Sequence, residues 1–370
     1  MNTTEKNRLS LLVDAPDFWD AFRRDALSAT ENIRIQTLSF EGDRVGWQLA
    51  ELLQSLSPAV SRRILVDNFT RYIINDKFQF LPGNYLNEAL KKERLSTRQM
   101  IRELRENQVE VQFTSPVGAL LHRFAARNHK KLLSVDERVA YIGGINFSEH
   151  NFAWHDMMLR ICDPEIVRFL NEDFENTWQN NIVFDHGKFP GIELLSLSGR
   201  GNENAFQKVF EVIDRARESI WVKSPYITFP FVEHLAAARK RGVSVHVVTP
   251  ELNNRTFLKE YIIWAGNKNG FQLHFFQDRM SHLKAMLVDD CCLIMGSTNF
   301  DYLSYRIHPE YVAFVSETSV LEDFRQKVLE PALKRSSQNS HQVSDMRGNY
   351  LRIRSLLLGK FFIGLANLTE

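Results

Sequence analysis

Two short stretches of this chain carry residues able to work on a phosphate. In the first, His129 is followed two positions later by Lys131, seven later by Asp136 and 17 later by Asn146. In the second, His282 is followed at the same spacings by Lys284, Asp289 and Asn299. Side chains alternate along an extended strand, so each histidine shares a face with its lysine. Each asparagine comes after a turn, Gly143-Gly144 or Gly296-Ser297, that returns the chain toward the same face. Ammonium and amide groups suit the non-bridging oxygens of a phosphate, and imidazole serves as nucleophile or as acid and base. Two sets allow a division of labour. One histidine attacks phosphorus and forms a phosphohistidine. The other protonates the leaving oxygen and then deprotonates the incoming alcohol or water. The lysines and asparagines steady the equatorial oxygens, so this chemistry needs no metal and no cofactor. A single His-x-Lys means little. The repetition of four polar positions at fixed spacing carries the reading, with Asp136 and Asp289 as turn residues that serve the fold.

The elements around these motifs repeat too. Segments 32–38 and 219–225 alternate polar and apolar residues as half-buried strands do. Each follows a helix-like stretch, 18–29 or 204–217, and precedes another helix and a strand, 61–66 or 243–248. Strands alternating with helices predict an α/β protein of two similar lobes, each a mixed sheet flanked by helices, related by a pseudo-twofold with the site between them. The expected divisions are 1–180, 181–340 and a basic, apolar C-terminal segment 341–370. The first half is longer between its first strand and its histidine, and the excess reads as an insertion within 71–107. Segment 180–202, rich in Gly, Ser and Asn, reads as a linker.

The 370 residues are 44% apolar and 25% charged, with a formal net charge of +1. This balance supplies no global basic field for nucleic acid, and no nucleic-acid partner is expected. Three cysteines without CxxC spacing predict neither a zinc site nor a disulfide framework, and suit a reducing compartment. Segment 1–11 lacks the apolar core of a signal peptide. No run of about 18 apolar residues predicts a membrane span. Large apolar and basic residues interleave in 347–368, as they do in interfacial helices and also in helices packed on a core. Segment 77–82, with Phe78, Phe80 and Leu81, is a second candidate for contact with lipid.

Both motifs match the His-x-Lys-x4-Asp signature of the phospholipase D superfamily, and roughly residues 20–330 share the resemblance. Within it the chain most resembles bacterial cardiolipin synthases of the short type without N-terminal membrane helices. The matching residues are Arg127-Asn128-His129-Lys130-Lys131, Gly143-Gly144-Ile145-Asn146 and Trp154-His155-Asp156 in the first half. In the second they are Ser224-Pro225-Tyr226, Gly296-Ser297-Thr298-Asn299, Ser304-Tyr305-Arg306 and Glu310. The resemblance implies that Asp156 orients His129 and Glu310 orients His282. It also implies His129 as nucleophile and His282 as general acid and base. Positive charge at Arg127 and Lys130 beside His129 adds a local hint in the same direction. Ser134 stands where the family has an aliphatic residue, a change expected to be tolerated. The implied activity is phosphatidyl transfer between phospholipids such as phosphatidylglycerol, at a membrane surface. The expected location is peripheral on the cytoplasmic face of a bacterial inner membrane, or cytoplasmic. The rivals are hydrolysis of a phospholipid headgroup by the same residues, a nuclease, and a non-catalytic membrane-binding scaffold.

Overall fold

The structure, a computed structural model, describes residues 8–338 and 341–367; the remainder of segment 1–11 and Leu368 lie outside the described residues. The chain divides into two compact units, Met1–Val183 and Phe184–Glu370.

The first unit is built on a seven-stranded sheet. Its strands are β1 (Leu9–Val13), β2 (Asn32–Thr37), β3 (Ser61–Asp67), β4 (Glu110–Thr114), β5 (Leu132–Val135), β6 (Val139–Gly143) and β7 (Met157–Ile161). They lie in the order β1-β7-β6-β5-β2-β3-β4. β2, β3 and β4 are parallel, and every other pairing is antiparallel. The helices are α1 (Asp14–Leu27), α2 (Arg44–Ser55), α3 (Glu88–Glu106) and α4 (Pro164–Trp178). Their starts are written locally. Asp43 accepts from the N–H groups of Val45 and Gly46, Asn87 from Leu90, and Asp163 from Glu165 and Ile166. Each satisfies donors that a helix N-terminus leaves open. One core packs Phe18 and Phe22 of α1 against Tyr141 of β6, with Ile33, Ile35, Ile64 and Val66 from the parallel strands.

The second unit repeats this plan. Its strands are β8 (Asp185–Phe189), β9 (Ile192–Ser196), β10 (Ser219–Lys223), β11 (Ser244–Pro250), β12 (Gln272–Phe276), β13 (Ala285–Val288), β14 (Cys292–Gly296), β15 (Tyr311–Val315) and the short β16 (Ser336–Ser337). The order is β8-β9-β15-β14-β13-β10-β11-β12-β16. β10, β11 and β12 are parallel, and β13 joins β10 antiparallel, matching β2, β3, β4 and β5. Its helices include α5 (Asn202–Arg215), α6 (Phe231–Lys240), α7 (Thr256–Asn269) and α8 (Asp345–Asn367), with a further helical stretch over 318–334. Isolated bridges repeat as well, Phe40 with Phe147 and Ile227 with Phe300.

Three sequence expectations change here. The linker segment 180–202 instead holds the hairpin β8–β9, whose second strand pairs with β15 and extends the second sheet. Gly191 makes its turn, while Gly187 and Ser196 lie within the strands themselves. The insertion in 71–107 is only partly an insertion, because α3 is the counterpart of α7. The additional chain falls at 68–87 and at 115–128, where the second half has the short connections 251–255 and 277–281. The C-terminal segment is the helix α8, docked on the second unit. Leu351 is fully buried, Trp264 donates to Asp345 at 2.9 Å, and Arg352 pairs with Glu233 at 3.0 Å.

Candidate active site

Both histidine motifs sit in the extended chain entering the inner strand of a hairpin. In the first unit the register Leu132↔Ile142 lays residues 143–146 alongside 129–131. The register Gln36↔Leu132 lays the chain just past β2 along the other side. The second unit does the same through Ala285↔Met295 and Lys223↔Ala285. The motif spacing follows from this hairpin: His to Asn is the length needed to run up one strand, turn, and come back level.

His129 and His282 are each 7% exposed, and the motif lysines are buried. Lys131 Nζ donates to the carbonyl oxygen of His129 at 2.7 Å, and Lys284 Nζ donates to that of His282. Each lysine thus curls back beside its own histidine. Asn146 Oδ1 accepts from Thr37 Oγ1 at 3.3 Å and from Ser39 N at 3.4 Å. Asn299 is buried and its Oδ1 has no donor. The Tyr226 ring stands edge-on to His282, with centroids 6.2 Å apart.

Lys130 goes the other way. Its Nζ meets Asp173 of α4 at 2.7 and 2.9 Å, with both side chains buried. Arg127 donates to Asp67 Oδ1 at 3.0 Å, and Asp67 Oδ2 accepts the Asn128 N–H at 2.7 Å. Burial holds the Asp67 carboxyl above the ordinary carboxylate range, and the Arg127 guanidinium offsets only part of the rise. The two cations flanking His129 are therefore each matched by a carboxylate. The local hint that accompanied the assignment of His129 as nucleophile loses its force, and that assignment rests on the resemblance.

Asp136 and Asp289, the last members of the motifs, close the turns that start β2 and β10. Asp136 Oδ1 accepts from the N–H groups of Glu31 and Asn32 at 2.9 and 3.0 Å, and Oδ2 from Thr30 at 3.2 Å. Asp289 does the same for Arg217, Glu218 and Ser219 at 2.8–3.0 Å. Burial works to raise both carboxyls, but the backbone donors outweigh it and hold them below the ordinary range. Ser134 is also satisfied, donating to Asn171 Oδ1 at 2.6 Å, while Asn171 donates to the Asp136 carbonyl.

The glycines make room for the two acids. Gly143 pairs with Met158 at the end of β6. A Cβ on Gly144 would lie 2.3 Å from the Asp156 carboxylate, so this position admits the acid only while it lacks a side chain. Asp156 Oδ1 accepts the Met157 N–H at 2.9 Å. In the second unit Gly296 has φ +148° and lies against the Tyr311 carbonyl. The equivalent of Gly144 is Ser297, whose hydroxyl donates to Glu310. Glu310 also accepts from Ser304 at 2.9 Å, and His308 Nδ1 is 3.9 Å from it. A longer acid with a serine thus replaces a shorter acid with a glycine.

Sequence reasoning missed several of these supports. Thr37 and Ser39 stand at the repeat positions of Ser224 and Tyr226, and the hydroxyls of Thr37 and Ser224 both bond the carbonyl two residues on. That parallel was readable from the repeat. Asp67, Asn171 and Asp173 lie far from the motifs in sequence and gave no local signal.

Comparison with known proteins agrees with this construction. The chain is 24% identical to cardiolipin synthase 1 of Staphylococcus epidermidis, over 93% of this chain and 71% of that protein. It is 23% identical to the major cardiolipin synthase of Bacillus subtilis, over 86% and 67%. The fold is similar to that of the phosphatidylserine synthase of Haemophilus influenzae, with a TM-score of 0.68 at 13% identity over 96% of this chain and 94% of that one. It is also similar to polyphosphate kinase of Porphyromonas gingivalis, with a TM-score of 0.60 at 12% identity over 96% and 56%. Residues 23–178 and 209–330 match the family described as "Cardiolipin synthase, PLD-like domain". These segments make up most of the chain and contain both motifs, and the chain belongs to that family.

Proposed function

We propose that the chain is a phosphatidyltransferase of cardiolipin synthase type. It moves the phosphatidyl group of one phospholipid to an alcohol of another, so that two phosphatidylglycerols give cardiolipin and glycerol. The observation that carries this reading is the doubled set His129-Lys131-Asn146 and His282-Lys284-Asn299, mounted on equivalent hairpins. One imidazole attacks phosphorus, and the P–O bond to the leaving glycerol breaks as the other imidazolium hands that oxygen its proton. The second imidazole then takes the proton of the incoming hydroxyl, which attacks phosphorus and releases the first histidine. Asp156 and Glu310 hold the far ring nitrogens and so fix the tautomers. The lysines and asparagines bind the non-bridging oxygens.

The test is to incubate the purified chain with phosphatidylglycerol vesicles carrying labelled headgroup glycerol and identify products by mass spectrometry. Cardiolipin and free glycerol are expected in equal amounts, and EDTA leaves the rate unchanged. Phosphatidic acid in place of cardiolipin would make the enzyme a hydrolase. Loss of turnover with EDTA, restored by one divalent ion alone, would refute the metal-free mechanism.

The enzyme works as a peripheral protein, on the cytoplasmic face of the membrane, where its three free cysteines stay reduced. Among the described residues no helix is long and apolar enough to cross a bilayer. Met346, Tyr350, Ile353, Leu357 and Phe361 form an exposed row along α8, with Arg354 and Lys360 beside it. A bilayer surface suits such a row better than water does, since each large apolar side chain gains roughly 1.5–3 kcal/mol when fully buried. The combined substitutions Ile353→Glu, Leu357→Glu and Phe361→Glu should weaken vesicle co-sedimentation at least about tenfold while leaving the melting temperature unchanged. Undiminished binding would mean that another surface meets the lipid.

A further inference from the structure

Where the additional chain at 68–87 meets α3, the first unit carries a second cationic feature, lined by none of the motif residues. A cavity of about 400 Å³ opens beside α3 and β4, lined by Arg71, Arg94, Arg98 and Arg105. No carboxylate lines it, and none of the four arginines forms an ion pair among the described residues. Glu93 precedes Arg94 on α3, but its carboxyl is hydrogen-bonded to that of Glu41, and burial raises both. Arg94 is 8% exposed, and its Nη1 has no hydrogen-bond partner. Gln79, 1% exposed, lines the same cavity with its Oε1 unpartnered, an acceptor that suits a hydroxyl donor and not a phosphate oxygen. Burying a guanidinium N–H without an acceptor is costly, so such a group marks a place for one.

Three of the four arginines are also held in place. Arg71 stacks over the Phe113 ring at 3.8 Å, and Arg94 lies 4.9 Å from that of Tyr85. Arg105 is anchored to the Val111 carbonyl at 2.7 Å. Burial and the nearby charges of Arg105 and Arg98 lower the Arg71 pKa, which is what mutual repulsion without a counter-ion does. Guanidinium groups so arranged match the oxygens of a phosphate, which accept paired N–H donors.

We propose that this cavity is a binding site for a phosphate mono- or diester, distinct from the reacting phosphodiester. The rim favours a lipid as its source. Phe80 lines the cavity and is 45% exposed, and Leu81, Tyr85 and Leu86 beside it are 51–75% exposed. The rings of Tyr72, Phe78, Phe80 and Phe124 pack together beneath them, which ties the two additional segments into one platform. An anionic headgroup among the arginines, with acyl chains against this apolar rim, satisfies both halves of the surface. Thr70, another lining residue, accepts from Phe40 N and donates to the Leu38 carbonyl, so occupancy bears on the loop that carries Ser39.

Phenylglyoxal modification of the full chain, mapped by mass spectrometry, reads Arg71, Arg98 and Arg105 individually. Inorganic phosphate and phosphatidylglycerol vesicles should each slow their modification at least about fivefold, while exposed Arg23 is unaffected and phosphatidylcholine vesicles protect little. Protection by phosphate alone would keep the site and make soluble phosphate its source. Equal protection by both kinds of vesicle, or none by any addition, would overturn the proposal. Arg98→Gln, an exposed change that should leave the melting temperature intact, should abolish protection of Arg71 and Arg105; full protection in that variant would also overturn it. The readout needs no turnover, so it stands or falls separately from the transfer reaction.

Discussion

His129→Ala and His282→Ala should each lower phosphatidyl transfer by roughly 10⁴-fold or more, and the double variant should be little worse than either one. In the proposed mechanism the two imidazoles serve one reaction coordinate, so removing either would leave the other without a task. Non-additivity therefore carries more information than either single loss. If the two effects multiplied, the histidines would be acting in independent events. Assigning the roles needs trapping. The phosphoramidate is acid-labile, so the reaction must be quenched at neutral or alkaline pH and the peptides mapped promptly. With a phospholipid whose leaving alcohol is acidic, His282→Ala should accumulate a phosphatidyl adduct on His129, because departure no longer needs a proton. His129→Ala should accumulate none. An adduct on His282 in the unaltered enzyme would reverse the assignment and keep the two-step mechanism. Because Asp67 and Asp173 match the cations around His129, local charge does not decide between the two, and the experiment must.

The repeat was legible because its cause is local and periodic. One hairpin register fixes the distances from His to Lys, Asp and Asn, and two copies of one register print the same distances twice. The alternation in β2 and β10 was legible for a similar reason, since strands with partners on both sides still keep a period of two. What sequence hid was long-range compensation. Ser134 looked like a bare departure from the family, and its partner Asn171 comes 37 residues later on α4. Segment 180–202 looked like a linker because Gly and Ser mark turns equally well inside a hairpin. The C-terminal helix looked separable because its apolar and basic residues interleave without dividing into two faces. One side meets Trp264 and Tyr302 through Gly348 and Gly359, while Met346, Tyr350, Ile353, Leu357 and Phe361 are exposed. Composition alone could not divide these faces. It also follows that cutting the chain after Ser344 is a poor test of membrane binding, since the cut would uncover Trp264 and leave an apolar wound in the second unit.

The adjacent lysines Lys130 and Lys131 should separate cleanly in experiment, one into stability and the other into rate. Lys130 and Asp173 are both almost completely buried, and neither has water to fall back on. Removing one partner strands a charge, which costs about 3–5 kcal/mol in such pairs. Asp173→Ala should therefore lower the melting temperature of the first unit by roughly 6–20 °C. Activity per folded molecule, measured well below that temperature, should change little. Replacing both partners, Lys130→Met with Asp173→Leu, should recover most of the loss, because a well-packed apolar pair avoids the desolvation that the ions suffer. Lys131→Met should behave in the opposite way. It removes the ammonium that curls back over the His129 carbonyl, so turnover should fall about 10²–10³-fold with the melting temperature nearly unchanged. The comparison is made on neighbouring residues of one type, differing only in which way the strand turns them. If Asp173→Ala left stability intact but cost the same rate as Lys131→Met, Lys130 would belong to the reaction, and strand alternation would be the wrong guide to which lysine meets the phosphate.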